Sequence, residues 1–249
     1  MINPAEIDNI ARSEERLWWF RGMREITVAL LDRLMTGGRP VRVLEGGCGT
    51  GQFAELVARR YGVTVIAADL DPQAARICRE RPGVIALRSN LLGLPLESAR
   101  FDLVVTLDAL VHLRPGEDEA ALRECARVLR PGGGLLLRAA ALRLFRSRHS
   151  EYVWERQRFT PGRLRALAAS AGLRVERLTF ANFLLSPASL LRFRVWEPLF
   201  QRTPQSGLQP LPWPLEAIFY RALWLERAWL ARGRNLPFGQ TLFLVARKP

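Results

Sequence analysis

Val41-Arg42-Val43-Leu44-Glu45-Gly46-Gly47-Cys48-Gly49-Thr50-Gly51 is the stretch that decides the fold of this chain. An apolar, β-branched run closes on an acidic residue and passes straight into a glycine-rich turn. Gln52 to Tyr61 then reads as a helix. Glycine admits backbone conformations closed to other residues and lets a ligand approach the main chain. A strand, a glycine turn and a helix N-terminus together predict a nucleotide-binding corner. Gly49-Thr50-Gly51-Gln52-Phe53-Ala54 also satisfies the dinucleotide fingerprint G-x-G-x-x-A. In that fingerprint, however, the first glycine follows the strand directly. Here it would come four residues after Glu45, where the strand pattern has already stopped.

Downstream of this corner, strand and helix alternate in the pattern of a parallel sheet. Strands are expected at 41–45, 63–68, 83–88, 101–107 and 133–139, with helices at 51–61, 72–81 and 117–130 between them. Asp71 before Pro72 reads as a helix cap. Arg130-Pro131-Gly132-Gly133 ends the third helix with a turn that no helix can continue. Thr160-Pro161 opens a further helix at 161–171. A sixth strand follows at 173–181 and a last one at 240–247. The long gap between those two holds Pro187, Pro198, Pro204, Pro210, Pro212 and Pro214, and is expected to form short helices broken by proline.

G-x-G-x-G behind an acidic strand end resembles motif I of the class I S-adenosyl-L-methionine (SAM)-dependent methyltransferases. The resemblance covers residues 41–140 strongly. It implies a Rossmann-like, doubly wound α/β fold with a seven-stranded sheet and an antiparallel last strand. N-terminal helices (1–40, a lid) and a helical substrate-side insertion (184–236, between strands 6 and 7) would flank a SAM-binding core at 41–183 and 237–249. It also implies SAM as cofactor and S-adenosyl-L-homocysteine as product. The cofactor corner would use Glu45, Gly46, Gly47, Cys48, Gly49 and Gly51, with Glu45 suited to the ligand's amino group. Asp69, ending the second strand, would accept both ribose hydroxyls, since each carboxylate oxygen accepts hydrogen bonds. Leu70 would pack on adenine, and Asn90 and Leu91 would read its edge; the family usually has aspartate where Asn90 stands. Leu107 and Asp108 would face the methionine part.

Outside that core, the chain resembles a narrower bacterial group of small-molecule methyltransferases often associated with glycosyl transfer. Glu14-Glu15-Arg16-Leu17-Trp18-Trp19-Phe20-Arg21, Ser147-Arg148-His149-Ser150, Arg156-Gln157-Arg158-Phe159-Thr160 and Leu236-Pro237-Phe238-Gly239-Gln240 carry this likeness. Leu17 replaces a common histidine, and Ser150 the usual aspartate. Trp18, Trp19, Trp154, Arg156 and Arg158 are therefore candidate acceptor-binding residues. The chain's two histidines, His112 and His149, are candidate bases for a hydroxyl acceptor.

Net charge is +13, and its distribution is uneven. Residues 1–40 carry six basic and six acidic side chains, residues 41–140 carry 13 and 12, and residues 141–249 carry 18 and 6. Such a basic C-terminal part suits a phosphorylated substrate, an anionic membrane surface or nucleic acid. Cys48, Cys78 and Cys125 are odd in number with no C-x-x-C, which suggests neither a disulfide framework nor a metal site. No leader pattern or charge-free apolar span is evident, so a cytoplasmic location is expected, with peripheral membrane contact through the nearly all-round apolar 215–232. The leading expectation is methyl transfer to oxygen of a small, glycosylated or phosphate-linked acceptor. An RNA methyltransferase and a non-catalytic SAM-fold protein that binds a membrane or partner are the alternatives.

Overall fold

The computed structural model describes residues 2–35, 42–201 and 203–249; Val41, where the first strand was expected to start, lies outside them. Two helices come first, α1 (Pro4–Ser13) and α2 (Trp18–Leu34), followed by β1 (Val43–Gly46), α3 (Gln52–Tyr61), β2 (Val65–Asp69), α4 (Pro72–Arg79) and β3 (Val84–Arg88). Then come β4 (Phe101–Leu107), α5 (Glu117–Val128), β5 (Leu129–Ala140), α6 (Arg148–Tyr152), α7 (Pro161–Ser170) and β6 (Arg174–Ala181). Last are α8 (Ser186–Leu191), α9 (Glu197–Phe200), α10 (Trp213–Ala231) and β7 (Thr241–Arg247).

The seven strands form one sheet in the order β3-β2-β1-β4-β5-β7-β6. β1 pairs in parallel with β2 and β4, while β7 runs antiparallel to both β5 and β6. The order reverses at β1, and open α/β sheets bind ligands beyond the strand C-termini at such a reversal. Local chemistry sets the helix starts. The Asp71 carboxylate accepts from the backbone N–H of Gln73 and Ala74 at 2.8 and 3.0 Å, and Thr160 caps α7 through Arg163 N.

Apolar side chains fill both faces of the sheet. On one side Leu122, Cys125, Leu164 and Ala168 of α5 and α7 pack on the strands. On the other, Met23, Ile26, Leu30 and Leu31 make α2 a fully buried layer of the core. Behind α2 lies α10, whose Leu223 sits against Gly22.

The structure departs most from expectation in two places. α5 ends at Val128, and β5 begins at once at Leu129, so that Pro131-Gly132-Gly133 belongs to a strand. The cause is remote in sequence. The Lys248 ammonium donates to the carbonyls of Ala126 and Leu129 at 2.7 Å each, satisfying acceptors that a helix end leaves open. The Lys248 backbone meanwhile pairs with Gly132 and Gly133. In the 184–236 segment, α8 and α9 are short as expected, but α10 is one helix of 19 residues, with Pro214 in its first turn where proline costs no hydrogen bond.

Candidate functional site

A cavity of about 690 Å³ opens at the C-terminal ends of β1, β2, β4 and β5. α1 and the start of α2 wall it on one side; α8 and residues 207–219 wall it on another. Buried polar contacts hold α1 in place. The Glu14 carboxylate, only 2% exposed, receives the Thr50 hydroxyl and the Arg81 guanidinium, and Arg81 also donates to the Thr50 carbonyl at 3.2 Å. The N-terminal segment is thereby tied directly to the glycine loop.

In that loop, Gly47 N and Cys48 N donate to the Ala68 carbonyl at 2.7 and 3.1 Å. Gly47 has φ +73°, and a Cβ there would overlap the Ala109 methyl. Gly49 has φ +53°, faces the cavity and has no atom within 4 Å of its Cβ position. Gly46 gives room to Leu91, and Gly51 forms the left-handed N-cap of α3; neither lines the cavity. The Asp69 carboxylate accepts from Gly49 N (2.8 Å) and Asp71 N (2.9 Å), one bond on each oxygen. Burial raises its pKa, against those two hydrogen bonds. Glu45 is fully enclosed, its pKa is pushed well above the carboxylate range by burial, and its Oε2 has no partner. Cys48 Sγ lies 3.7 Å from Cys78 Sγ.

Leu70, Asn90, Leu91, Leu107 and Asp108 line the same cavity. The Asn90 side-chain oxygen already accepts from Leu92 N at 3.0 Å, so one of its two lone pairs shapes the turn. Asp108, at φ +57°, is held by Arg138 through Nε (2.8 Å) and a second guanidinium nitrogen (2.6 Å). The Arg138 guanidinium also stacks 5.3 Å above Trp19. Trp19, Arg138 and Asp108 thus form one wall.

The two histidines enter from separate segments and differ in their hydrogen bonding. His112 ends a 3₁₀ turn after β4; its Nδ1 is buried without a partner. Burial lowers its pKa to about 4, against a hydrogen bond to the Trp154 backbone. His149, on α6, accepts from Gly207 N through Nδ1 at 3.0 Å. Its pKa is likewise lowered to about 4, first by burial and then by Arg158 and Arg192. A neutral ring whose Nδ1 accepts carries its proton on Nε2. His149 therefore presents a donor, whereas His112 holds an unused acceptor.

Of the expected acceptor-binding residues, Trp18, Trp19 and Arg158 reach the cavity. Trp18 packs edge-on against Phe219, and its backbone N–H donates to Glu216 at 2.9 Å. Arg158 is occupied as a brace, bonded to both Glu155 oxygens (2.6 and 3.0 Å), the Ser150 hydroxyl (2.9 Å) and the Ala141 carbonyl (3.2 Å). Trp154 and Arg156 lie outside, beside a shallow depression with Pro115 and Arg146. There the Trp154 side chain is half exposed, while its backbone meets His112.

Sequence reading missed Arg138, Asn182 and Gln240, all of which line the cavity. Arg138 had a signal, a single charge inside the apolar run Leu135-Leu136-Leu137-Arg138-Ala139. Asn182, at φ +59°, has a buried, unpartnered Oδ1; its backbone N–H goes to Glu226 of α10 at 2.6 Å. Nothing local to Asn182 announces that.

The donor set fits SAM and not a dinucleotide. The unpartnered Oε2 of Glu45 is a buried acceptor for an ammonium N–H, whose positive charge would draw off the proton that burial keeps on this carboxyl, whereas a pyrophosphate brings no such charge. Asp69 retains a lone pair on each oxygen, and open space stands in front of Gly49.

Comparison with known proteins agrees. Residues 43–133 match the methyltransferase domain family. Over 121 residues the chain is 40% identical to a probable S-adenosylmethionine-dependent methyltransferase of Mycobacterium tuberculosis, covering 48% of this chain and 41% of that protein. It is 34% identical over 150 residues to the ubiquinone biosynthesis O-methyltransferase of Xanthomonas oryzae, covering 55% and 61%. The chain thus aligns with roughly half the length of these relatives. A TehB-like SAM-dependent methyltransferase from Corynebacterium glutamicum shares the fold, with TM-score 0.59, 17% identity and coverage of 99% and 100%. Residues 43–133 are thus matched by a methyltransferase domain, set in a fold shared with SAM-dependent methyltransferases.

Proposed function

We propose that this protein transfers a methyl group from SAM to a hydroxyl oxygen of a small, largely apolar acceptor. The observation that carries this reading is the single cavity joining the glycine loop, His112 and an apolar wall that includes Trp18, Phe145, Leu211 and Phe219. In this reading Glu45, Gly49, Asp69, Leu70 and Leu91 hold the cofactor. Residues 41–183 and 237–249 form its core, and residues 1–40 and 184–236 enclose the acceptor.

Bound SAM would supply a methyl carbon already activated by its sulfonium, which leaves positioning and proton removal to the protein. His112 Nδ1 takes the hydroxyl proton, because it is neutral well below pH 7 and has no other partner. His149 Nε2 donates to the acceptor and orients it. Of the arginines lining the cavity, Arg138 and Arg158 are spent on Asp108 and Glu155, Arg192 lies 3.7 Å from Glu197 and Arg24 donates to the Glu14 carbonyl at 3.5 Å, which counts against a strongly anionic or phosphate-linked acceptor. The name of the Xanthomonas relative supports transfer to oxygen in the making of an apolar quinone. The reading places the protein in the cytoplasm, in peripheral contact with the membrane that holds such acceptors.

The test is incubation of the purified chain with SAM and a panel of phenols, hydroquinones and hydroxylated lipids, followed by mass spectrometry. Methylation of an apolar hydroxyl compound, abolished by His112→Asn with SAM binding intact, is expected. SAM binding with turnover only on anionic sugars or RNA would reject the reading.

A further inference from the structure

α10 is apolar on two opposite faces. Phe219, Leu223 and Leu230 turn inward and pack with the α2 side of the core. Ile218, Arg221, Leu225, Trp229 and Arg232, spaced three and four apart, form the other stripe and are exposed. The helical run from α8 through a π-helical stretch to α9 repeats this on a smaller scale, with Leu191, Val195, Leu199 and Phe200 exposed. Phe200 is 70% exposed and Trp213 81%, extreme values for side chains of that size.

Charge is sorted in the same direction. Residues 184–234 contain seven arginines and three glutamates. Glu197 and Glu226 are buried, accepting from the backbone N–H groups of Arg148 at 2.8 Å and of Asn182 at 2.6 Å. Glu216 is held by Trp18 N and Leu211 N at 2.9 and 3.0 Å. Arg192, Arg194, Arg221, Arg232 and Arg234 are exposed. Outward, then, this segment shows bulky apolar side chains interleaved with arginines, while its carboxylates are turned in.

We propose that the outward face of residues 184–234 docks on an anionic lipid bilayer, with the cavity mouth held at its surface. An interfacial helix combines apolar and aromatic side chains that enter the acyl boundary with arginines that meet anionic headgroups. A second copy of the chain would set the same arginines against each other, and a bilayer supplies the opposite charge. No helix among the described residues is long and apolar enough to cross a membrane, so the contact is peripheral. Leu215 is both exposed and part of the cavity wall, which puts the entrance beside this face. The inference rests on the apolar acceptor proposed above and adds where that acceptor is collected.

The experiment is co-sedimentation of the full chain with phosphatidylcholine vesicles, with and without phosphatidylglycerol, at low and high salt. Two double variants, Phe200→Ser with Trp213→Ser and Arg221→Glu with Arg232→Glu, are compared with the parent. None of these four residues lines the cavity. Binding that needs phosphatidylglycerol, weakens with salt and falls roughly tenfold or more in each variant is expected. Calorimetric SAM affinity and melting temperature should stay unchanged in both. Absence of vesicle binding by the parent would overturn the inference, as would binding that neither variant weakens. Concentration-dependent dimerisation that the variants abolish, without lipid binding, would assign the face to a second copy instead. A parent that binds SAM but no vesicles defeats only the docking surface; a parent that binds vesicles but no SAM defeats the enzymatic reading.

Discussion

Gly47→Ala and Gly49→Ala should fail in different ways, although they lie two residues apart in one loop. Both glycines have positive φ, +73° and +53°, so an alanine at either costs roughly 1–2 kcal/mol of backbone strain. Beyond that they diverge. A methyl at Gly47 would overlap the methyl of Ala109, in the buried turn between Asp108 and His112. Overpacking of that kind adds about 1–3 kcal/mol, for a total of about 2–5 kcal/mol. At Gly49 the methyl meets nothing and projects into the cavity, so only the strain remains. Gly47→Ala should therefore lower the urea midpoint well below that of Gly49→Ala at similar m-value. Gly49→Ala should keep most of its stability yet lose SAM affinity about tenfold or more, equivalent to about 1.4 kcal/mol or above. Equal midpoints for the two variants would refute the packing argument. Parental SAM affinity in Gly49→Ala would refute the assignment of that open space to the cofactor.

Glu45 gives a pH dependence whose sign follows from its burial. Its folded pKa lies well above the ordinary 4.5, so the folded state keeps a proton that the unfolded chain has released. Stability should then fall as pH rises from about 4.5 through the raised value, and Glu45→Gln should flatten that slope in urea titrations across pH while weakening SAM binding. His112→Asn should cut kcat by about 10²- to 10⁴-fold with SAM affinity preserved, whereas His149→Asn should act mainly on the acceptor KM. The acidic limb of the parental rate profile should fall near pH 4; a limb near 6.5 would show that His112 is not buried in the working enzyme. Gly22→Ala would set a Cβ 2.6 Å from the Leu223 Cβ and should destabilise by about 1–3 kcal/mol. In a Leu223→Ala background, which removes the overlapping Cδ1 and Cγ but keeps Cβ, Gly22→Ala should cost less than in the parent, and additive losses in denaturation would count against the α2–α10 contact.

The glycine-loop end of the cavity was legible because its signals are local. Strand ends, glycine spacing and the Asp71-Pro72 cap each need only a few consecutive residues, and Glu45, Gly49 and Asp69, which the family resemblance implied, line the cavity. Boundaries failed where a distant residue decided them. Arg130-Pro131-Gly132-Gly133 contains every mark of a turn, yet it pairs as strand because Lys248 arrives from the far end of the chain. Likewise Trp154 and Arg156 stand in an aromatic, basic stretch that looks like a binding segment. The left-handed backbone at Trp154 (φ +58°) instead accompanies a side chain set outside the cavity and a backbone that meets His112.

The opposite wall, built by residues 182–241, was illegible for a further reason: its polar groups are chosen by their neighbours. In sequence, Glu226 is one of several charges interrupting an apolar helix and arguing against a membrane span. In the fold it is buried, and it clamps the backbone of Asn182 and Leu184, 44 and 42 residues away. That clamp holds Asn182 in its left-handed conformation at the cavity wall, with an amide oxygen that no protein group satisfies. A buried unsatisfied acceptor costs about 1–3 kcal/mol, a burden that a partner entering the cavity would relieve. Charge in residues 184–234 is thus sorted by a single demand. The glutamates are needed inside to hold the irregular backbone around the cavity, and the arginines are left outside. The basic surface and the shaped cavity are two faces of one arrangement, which is why the charge excess of the C-terminal part could be counted from the sequence but not placed.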